Sequence, residues 1–159
     1  MSLAAEVVAA LRTAGASIAV AESLTGGRLC AALVDVPGAS DVVLGGIVAY
    51  TAEAKTRVLG VDPVLLENVG TVDASTAAAM AFNVRRHFDS TYSLATTGVA
   101  GPVPSEGKAV GTVYIALASA NGIDVRQLTL DGDRDSIRND TVLQCLSLLL
   151  ATLKEESQR

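Results

Sequence analysis

The sequence predicts a single α/β domain, a three-layer α/β/α sandwich around a mixed, mostly parallel five-stranded sheet with one C-terminal hairpin. Short apolar, β-branched runs alternate along the chain with segments of helical periodicity, which is typical of strand–helix–strand units. Asn121-Gly122, between the last two runs, is the strongest short hairpin signal in the chain. No linker, repeat or low-complexity segment interrupts the 159 residues, so we expect one domain over residues 1–159.

The first half of the chain is predicted to begin with an amphipathic helix, because its apolar residues recur at helical spacing up to Gly15. A short apolar run then predicts a buried strand, and the glycines after Ser23 turn the chain into a second helix. Pro37-Gly38-Ala39-Ser40 has the composition of a loop. The predicted elements are a helix over 3–14, a strand over 17–22, a helix over 26–35, a strand over 45–50 and a helix over about 52–59.

The second half continues the alternation and ends in two neighbouring strands. Asp62-Pro63 predicts a short helical turn, because aspartate caps a helix and proline fits its first position. Asp73 or Ser75 is expected to cap the Ala-rich helix that follows, and Asp131-Gly132-Asp133 to start the last helix. The predicted elements are a helical turn over 62–68, a helix to about residue 87, strands over 92–97, 111–118 and 123–130, and a final helix to about residue 154.

Composition and charge narrow the class of protein. The net charge of −5 argues against an extended nucleic-acid surface, because affinity for phosphates comes largely from Lys and Arg. The N-terminal residues lack the basic region of a signal peptide, and the apolar stretch Val142–Leu153 is shorter than the roughly 20 residues of a spanning helix. We therefore expect a cytoplasmic protein without membrane contact, in which Cys30 and Cys145 are reduced core thiols.

The loop after the first strand is the first candidate for chemistry. At Ser23-Leu24-Thr25-Gly26-Gly27 a strand ends in two hydroxyl side chains and two glycines before a helix, so free backbone N–H groups lie beside an exposed oxygen. Such a loop suits an oxyanion or a phosphate. The pattern is also compatible with Ser23 or Thr25 acting only as the N-cap of the helix.

Two further loops should open at the same edge of the sheet, beyond the carboxyl ends of the parallel strands. Lys55 follows the second strand and Tyr50, and a partly buried lysine with a lowered pKa can act as a base toward a serine hydroxyl. The alternative is that Lys55 is a solvated helix charge and Tyr50 packs at the strand end. The segment Thr97-Gly98-Val99-Ala100-Gly101-Pro102 can nest an anion on its N–H groups, or it forms a sharp turn without a ligand.

The last helix carries basic side chains near its start. Arg134 and Arg138 lie one turn apart on one face, where they could hold a phosphate or a neighbouring subunit. Asp133 is expected to cap this helix, and the acidic residues of 131–135 lack the spacing of a calcium loop. His87, the only histidine, falls near the end of the Ala-rich helix and is a poor candidate for a catalytic triad.

Five motifs follow one another through nearly the whole chain, and together they are more specific than any one of them. In order and spacing they resemble the CinA C-terminal domain family. The motifs are Ala21-Glu22-Ser23-Leu24-Thr25-Gly26-Gly27, the segment Gly46–Lys55, Thr97-Gly98-Val99-Ala100-Gly101-Pro102, Val110-Gly111-Thr112-Val113 and Gly132-Asp133-Arg134.

The resemblance implies nicotinamide-nucleotide amidohydrolase activity, which deamidates nicotinamide mononucleotide to nicotinic acid mononucleotide and ammonia in pyridine nucleotide salvage. By motif it implies Ser23 as the nucleophile, Lys55 as its base and Tyr50 as a site residue close to both. It implies a small-molecule nucleotide substrate and no metal or organic cofactor. The residues that match substrate-cradling loops are Thr25, Gly26, Gly27, Gly98 and Gly101.

In this hypothesis neutral Lys55 takes the proton of Ser23, whose oxygen attacks the carboxamide, and N–H donors around Gly26 or Gly98 hold the oxyanion. The sequence leaves open whether Ser23 or Thr25 is the attacking hydroxyl. Arg134 or Arg138 are candidates for the substrate phosphate by charge alone.

The chain departs from the family pattern in two loops. The segment Val103–Val110 is one residue shorter than usual, and Val72-Asp73 stands where the family often has Val-Ser, which adds negative charge. The alternative hypothesis is therefore a non-catalytic nucleotide-binding or competence-associated module. We also expect a homo-oligomer, because a small Ala-rich domain can bury further apolar surface between subunits.

Overall fold

A computed structural model describes all residues, Met1–Arg159, and it shows the α/β fold that the sequence predicts. Each predicted helix and strand is present with ends shifted by a few residues, and a short 3₁₀ helix, Ala39–Asp41, lies in the predicted loop. The strands are β1 Ile18–Glu22, β2 Val43–Val48, β3 Tyr92–Gly98, β4 Thr112–Ser119 and β5 Gly122–Thr129. The helices are α1 Leu3–Ala14, α2 Arg28–Val34, α3 Ala52–Arg57, α4 Pro63–Val69, α5 Ala74–Phe88 and α6 Arg134–Ser157.

The five strands form one sheet in the order β2-β1-β3-β4-β5. β1 pairs in parallel with β2 and β3, whereas β4 is antiparallel to both β3 and β5. The sheet is mixed, as predicted, but its pairs divide evenly and are not mostly parallel. The reason is the β3–β4 connection, residues 99–111, which contains no helix to carry a parallel crossover, so β4 runs back beside β3.

Alternate residues of β1 belong to two different hydrophobic clusters, as the pleat of a strand requires. Ile18 and Val20 pack with residues of α1, α2 and α6, whereas Ala19 and Ala21 pack with residues of α5. The α5 cluster draws alanines from three strands, so the helix approaches its side of the sheet closely. Helices therefore lie against both faces.

The larger cluster is built mainly on α1, α2 and α6. Cys145 is buried in this cluster and Cys30 packs against it, and both are free thiols. α6 contains the apolar stretch 142–153. Neither α6 nor any other helix has the length and apolar character needed to cross a membrane.

Three parallel strands end at the same edge of the sheet. Glu22, the last residue of β1, is paired with Val48 on one side and with Thr96 on the other. The chain leaves these strands through the segments 23–27, 49–51 and 99–111. These segments carry most of the residues that the sequence singles out.

Candidate active site

Ser23 and Lys55 lie in direct contact at this edge of the sheet. Ser23 follows β1, Lys55 lies on α3, and Lys55 Nζ is 2.8 Å from Ser23 Oγ. The side chains are nearly enclosed, since Lys55 is 1% and Ser23 7% exposed. Lys55 Nζ also donates to the carbonyl oxygens of Ala49, at 2.9 Å, and Tyr50, at 3.4 Å. The hypothesis that Lys55 is a solvated helix charge is therefore wrong.

The environment of Lys55 shifts its protonation equilibrium toward the neutral amine. Burial lowers the pKa of Lys55 from 10.5 to about 8, against a smaller opposing effect of the Glu106 charge. A neutral amine has two N–H donors and one lone pair, and the carbonyls of Ala49 and Tyr50 can accept both donors. The lone pair is then left for the hydroxyl of Ser23. This is the arrangement of a base and the hydroxyl that it activates.

The start of α2 is capped by a residue that sequence reasoning missed. The carboxylate of Glu22 accepts hydrogen bonds from the amides of Leu29, at 2.8 Å, and Cys30, at 3.0 Å. The formal N-cap residue, Gly27, contributes no side chain. The hypothesis that Ser23 or Thr25 caps this helix is therefore wrong. The only sequence signal for Glu22 was a charged residue at the end of an otherwise apolar strand.

Thr25 is occupied by a contact to the neighbouring strand. Its fully buried hydroxyl lies 2.8 Å from the hydroxyl of Thr96 on β3. The amide of Ser23 donates to Thr96 as well, to the carbonyl oxygen at 3.0 Å and to the hydroxyl at 3.2 Å. Thr96, which sequence reasoning also missed, thus holds both sides of the loop. The lysine contact belongs to Ser23 and not to Thr25.

The two glycines after Thr25 have positive φ angles, 57° at Gly26 and 102° at Gly27, which L side chains rarely adopt. The Gly26 amide donates to the Ser23 carbonyl at 3.1 Å and closes the turn, so it is not available to a ligand. The amides of Leu24 and Thr25 donate to no backbone acceptor. The Gly27 amide has no acceptor either, so the free N–H groups of this loop are those of Leu24, Thr25 and Gly27.

A polar cavity of about 270 Å³ opens beside Ser23. Among the residues that the sequence singles out, Ser23, Tyr50, Gly98, Gly101 and Arg134 line it, whereas Thr25, Gly26, Gly27 and Arg138 do not. Lys55 does not line the cavity itself, but it contacts two lining residues, Ser23 and Tyr50. The other lining residues are Leu24, Thr71, Val72, Thr97, Val99, Ala100, Val103 and Ser105.

Tyr50 and Arg134 meet at the exposed side of the cavity. Arg134 donates to the hydroxyl of Tyr50 at 3.0 Å and to the carbonyl oxygen of Gly101 at 2.6 Å. Tyr50 was expected close to both Ser23 and Lys55. Its backbone carbonyl does contact Lys55. The residue is 57% exposed, however, and its phenol hydroxyl accepts a hydrogen bond from Arg134.

Arg138 has a different position from Arg134, although one helical turn separates them. It donates to the carbonyl oxygens of Leu24, at 2.8 Å, and Thr25, at 3.3 Å. An added Cβ at Gly26 would lie 2.9 Å from its guanidinium. Arg138 therefore supports the Ser23 loop from α6. Of the two arginines that the sequence offers for a phosphate, only Arg134 lines the cavity.

The remaining sequence candidates lie outside the cavity lining. The Asp73 carboxylate accepts from the Ser75 amide at 2.8 Å and caps α5, so the charge that it adds is used in capping. His87 is exposed near the end of α5. No group of three or more His, Cys, Asp or Glu side chains is placed to hold a metal ion.

The fold and this geometry define a class of protein: an α/β domain with an enclosed serine–lysine pair at the carboxyl edge of a mixed sheet. The chain belongs to the CinA C-terminal domain family, whose model matches residues 1–153. The family resemblance drawn from the five sequence motifs is thereby confirmed.

Similar proteins carry the same family name. A CinA-like protein of Frankia casuarinae is 51% identical over 148 residues, which are 93% of this chain and 34% of that protein. A CinA-like protein of Synechocystis is 45% identical over 134 residues, 84% of this chain and 32% of that protein. The chain spans about a third of the length of these curated relatives.

Solved structures of family members have the same fold over nearly their whole length. A competence-damaged protein (CinA) superfamily protein from Klebsiella pneumoniae superposes with a TM-score of 0.94 at 28% identity, covering 96% of both chains. A competence/damage inducible protein from Agrobacterium tumefaciens has a TM-score of 0.90 at 35% identity, covering 96% of this chain and 93% of that one.

Proposed function

We propose that this domain is an amide hydrolase that deamidates nicotinamide mononucleotide, with Ser23 as the nucleophile and Lys55 as its base. The observation that carries the proposal is the 2.8 Å contact between Lys55 Nζ and Ser23 Oγ, at an amine whose burial lowers its pKa. A serine hydroxyl needs such a base in order to attack an amide. The motif resemblance supplies the substrate, because the names of the relatives mention no reaction.

The proposed reaction proceeds in two steps. Neutral Lys55 accepts the hydroxyl proton of Ser23 as Oγ bonds to the carboxamide carbon, and the resulting ammonium returns a proton to the nitrogen as the C–N bond breaks. Ammonia leaves and an ester to Ser23 remains. In the second step Lys55 takes a proton from water, whose oxygen attacks the ester, and the proton returns to Ser23 as nicotinic acid mononucleotide is released.

The sequence predicts donors for the oxyanion around Gly26 or Gly98. The Gly26 amide is used within the turn, so we assign this role to the amides of Leu24 and Thr25, which have no backbone acceptor. These amides directly follow the nucleophile. Such donors stabilise the charge that develops on the carboxamide oxygen in the transition state.

The size and polarity of the cavity are compatible with a mononucleotide. Its volume of about 270 Å³ lies just below the usual range of ligand pockets, roughly 300–1,000 Å³, which favours a mononucleotide over a dinucleotide. The lining includes three further residues with hydroxyl side chains, Thr71, Thr97 and Ser105, and one cationic residue, Arg134. The guanidinium suits a phosphate at the exposed side.

Ammonia release from nicotinamide mononucleotide tests the proposal. We expect turnover by the wild type and a fall of about a thousandfold or more in Lys55→Met, which keeps the length of the side chain but not the amine. Arg57→Met is the matched control, because Arg57 lies on the same helix, is exposed and pairs with Glu53.

Two results would count against a serine–lysine hydrolase. The first is wild-type ammonia release no greater than that of Lys55→Met. The second is a rise in melting temperature on adding nicotinamide mononucleotide without any turnover, which would favour the non-catalytic nucleotide-binding module instead.

A further inference from the structure

The segment that departs from the family pattern forms a small hairpin beside the cavity. The amide of Ser105 donates to the Lys108 carbonyl at 3.1 Å, and the amide of Lys108 donates to the Ser105 carbonyl at 2.8 Å. Glu106 and Gly107 occupy the turn with φ angles of 52° and 71°. Two successive positive φ angles are what a two-residue hairpin turn requires, and they are unusual for a residue other than glycine.

Side-chain contacts fasten the hairpin to the segment between α4 and α5. The Glu106 carboxylate accepts from the Thr71 amide at 3.0 Å, from the Thr71 hydroxyl at 2.6 Å and from the Val72 amide at 3.2 Å. Lys108 Nζ donates to the Val72 carbonyl. Although partial desolvation opposes the effect, these hydrogen bonds and the Lys108 charge hold the pKa of Glu106 below its usual value. The carboxylate is therefore ionised at neutral pH.

The fit leaves no room for a larger residue beside the carboxylate. A Cβ added at Gly70 would lie 2.5 Å from Glu106 Oε2, and Gly70 itself has a φ of 82°. The Thr97 hydroxyl holds the same segment from β3, since it donates to the Thr71 carbonyl at 2.6 Å. Thr71, Val72 and Ser105 all line the cavity with Ser23. One carboxylate thus joins two parts of the cavity wall.

We propose that Glu106 is a positioning residue of the Ser23–Lys55 site: its carboxylate fixes the cavity wall by binding Thr71 and Val72, and these contacts hold its negative charge behind the wall of the cavity that Ser23 also lines. The proposal deepens the proposed function and rests on it for the kinetic consequences. Its two parts are separable, because a glutamine at this position keeps an acceptor oxygen and loses the charge, whereas an alanine loses both.

The charges around Lys55 show why Glu106 matters to it. The Glu106 charge raises the pKa of Lys55 and partly offsets the larger lowering by burial. On α3 itself, Glu53 pairs with Arg57 at 3.1 Å.

The other charged groups near the site are engaged elsewhere. The Glu22 carboxylate is bound by two amides of α2, and Arg134 is bound to Tyr50 at the exposed side of the cavity. Lys108, next to Glu106, donates to Val72. Removal of the charge at Glu106 should therefore lower the pKa of Lys55 further.

The test is an NMR titration of the protein labelled with ¹³Cε-lysine, which contains only three lysines, Lys55, Lys108 and Lys154. We expect Glu106→Gln to lower the midpoint of the Lys55 titration by at least a few tenths of a pH unit. The control is Glu67→Gln, which makes the same charge change at an exposed residue of α4.

Kinetics with nicotinamide mononucleotide test whether Glu106 fixes the cavity wall. Glu106→Ala should raise KM several-fold, Glu106→Gln should raise it less, and the acid limb of kcat/KM should move to lower pH in both. A KM for Glu106→Ala equal to that of the wild type would overturn the role of Glu106 in the cavity wall. A Lys55 midpoint that is the same in the wild type, Glu106→Gln and Glu67→Gln would overturn the role of its charge.

The titration needs no turnover, so it separates the two proposals. Absence of ammonia release from the wild type defeats the proposed function and leaves the titration result standing. If Glu106→Ala does not fold, Glu106→Gln decides both the midpoint and the KM.

Discussion

The carboxylate of Glu22 accepts a hydrogen bond from the amide of Leu29 at 2.8 Å, across the turn that contains Ser23. This contact caps α2 from the end of β1, a position from which ordinary N-cap residues do not act. Ser23 is thereby released from capping, and its hydroxyl lies against Lys55. The capping residue and the proposed nucleophile are adjacent in sequence and perform different tasks.

Glu22→Ala should lower the free energy of unfolding by about 2–3 kcal/mol, because two amides at the start of α2 lose their acceptor in a buried position. Denaturant unfolding measures the change. Glu53→Ala removes an exposed carboxylate of the Arg57 pair and should change stability by about 0.5 kcal/mol or less. Equal losses in the two variants would show that the Glu22 cap contributes nothing special.

Local signals in the sequence predicted the elements and several of their caps. Asp62 and Asp133 cap α4 and α6 as predicted, and of the two candidates for α5 the cap is Asp73; each cap depends on residues only two or three positions away. The convergence of the loops also followed from simple rules, because parallel strands end at one edge. These features need no knowledge of which strands pair.

Apart from the Glu22 cap, the features that were missed depend on contacts between segments distant in sequence. Thr96 reaches the Ser23 loop because β3 lies beside β1 with Glu22 opposite Thr96, a register that no local pattern contains. Glu106 binds Thr71 across 35 positions of sequence. The direction of β4 likewise depends on the long connection after β3. Tertiary contacts of this kind decide side-chain partners that residue type and spacing leave open.

Ser23→Ala should mainly lower activity, whereas Thr25→Val should mainly lower stability. Ser23→Ala should lower kcat about a thousandfold or more, since the proposed nucleophile is lost. Thr25→Val breaks the buried contact to Thr96 and should lower the free energy of unfolding by about 1–2 kcal/mol, with a loss of about tenfold at most in kcat. Ammonia release and denaturant unfolding give both quantities, and the reverse pattern would make Thr25 the attacking hydroxyl.

The pH dependence of activity should report the state of Lys55. A base must be neutral, so kcat/KM should fall as pH decreases through the pKa of Lys55, about 8, and approach a tenfold loss per pH unit below it. The measurement is kcat/KM against pH with nicotinamide mononucleotide. A flat profile across this range would exclude Lys55 as the base.

The same lowered pKa should appear in stability. Between about pH 8 and 10.5 the unfolded chain binds the Lys55 proton and the folded chain does not, so the free energy of unfolding should rise with pH in this window. The contribution amounts to about 3 kcal/mol and is lost as pH falls to about 8. Denaturant unfolding of the wild type and Lys55→Met should differ in slope across this window. Parallel curves would show that burial does not perturb this amine.

Substitution of Arg134 and substitution of Arg138 should change the kinetic constants in different ways. Arg134 lines the cavity at its exposed side, so Arg134→Ala should raise KM for nicotinamide mononucleotide about tenfold or more, through loss of a charge-assisted contact to phosphate. Nicotinamide riboside has no phosphate, and its KM should change much less. Steady-state kinetics with both substrates measure the difference.

Arg138→Ala is the informative comparison, because it removes the same charge one turn along α6 from a side chain that holds Leu24 and Thr25. Arg138→Ala should lower kcat with both substrates, and it should also lower the free energy of unfolding, since the Ser23 loop loses its support. Suppose instead that Arg138→Ala, and not Arg134→Ala, raised KM for nicotinamide mononucleotide more than KM for nicotinamide riboside. The phosphate would then lie at the Ser23 loop. The carboxamide would then lie at the Tyr50 side, away from Ser23 Oγ, and the assignment of Ser23 as the nucleophile would be wrong.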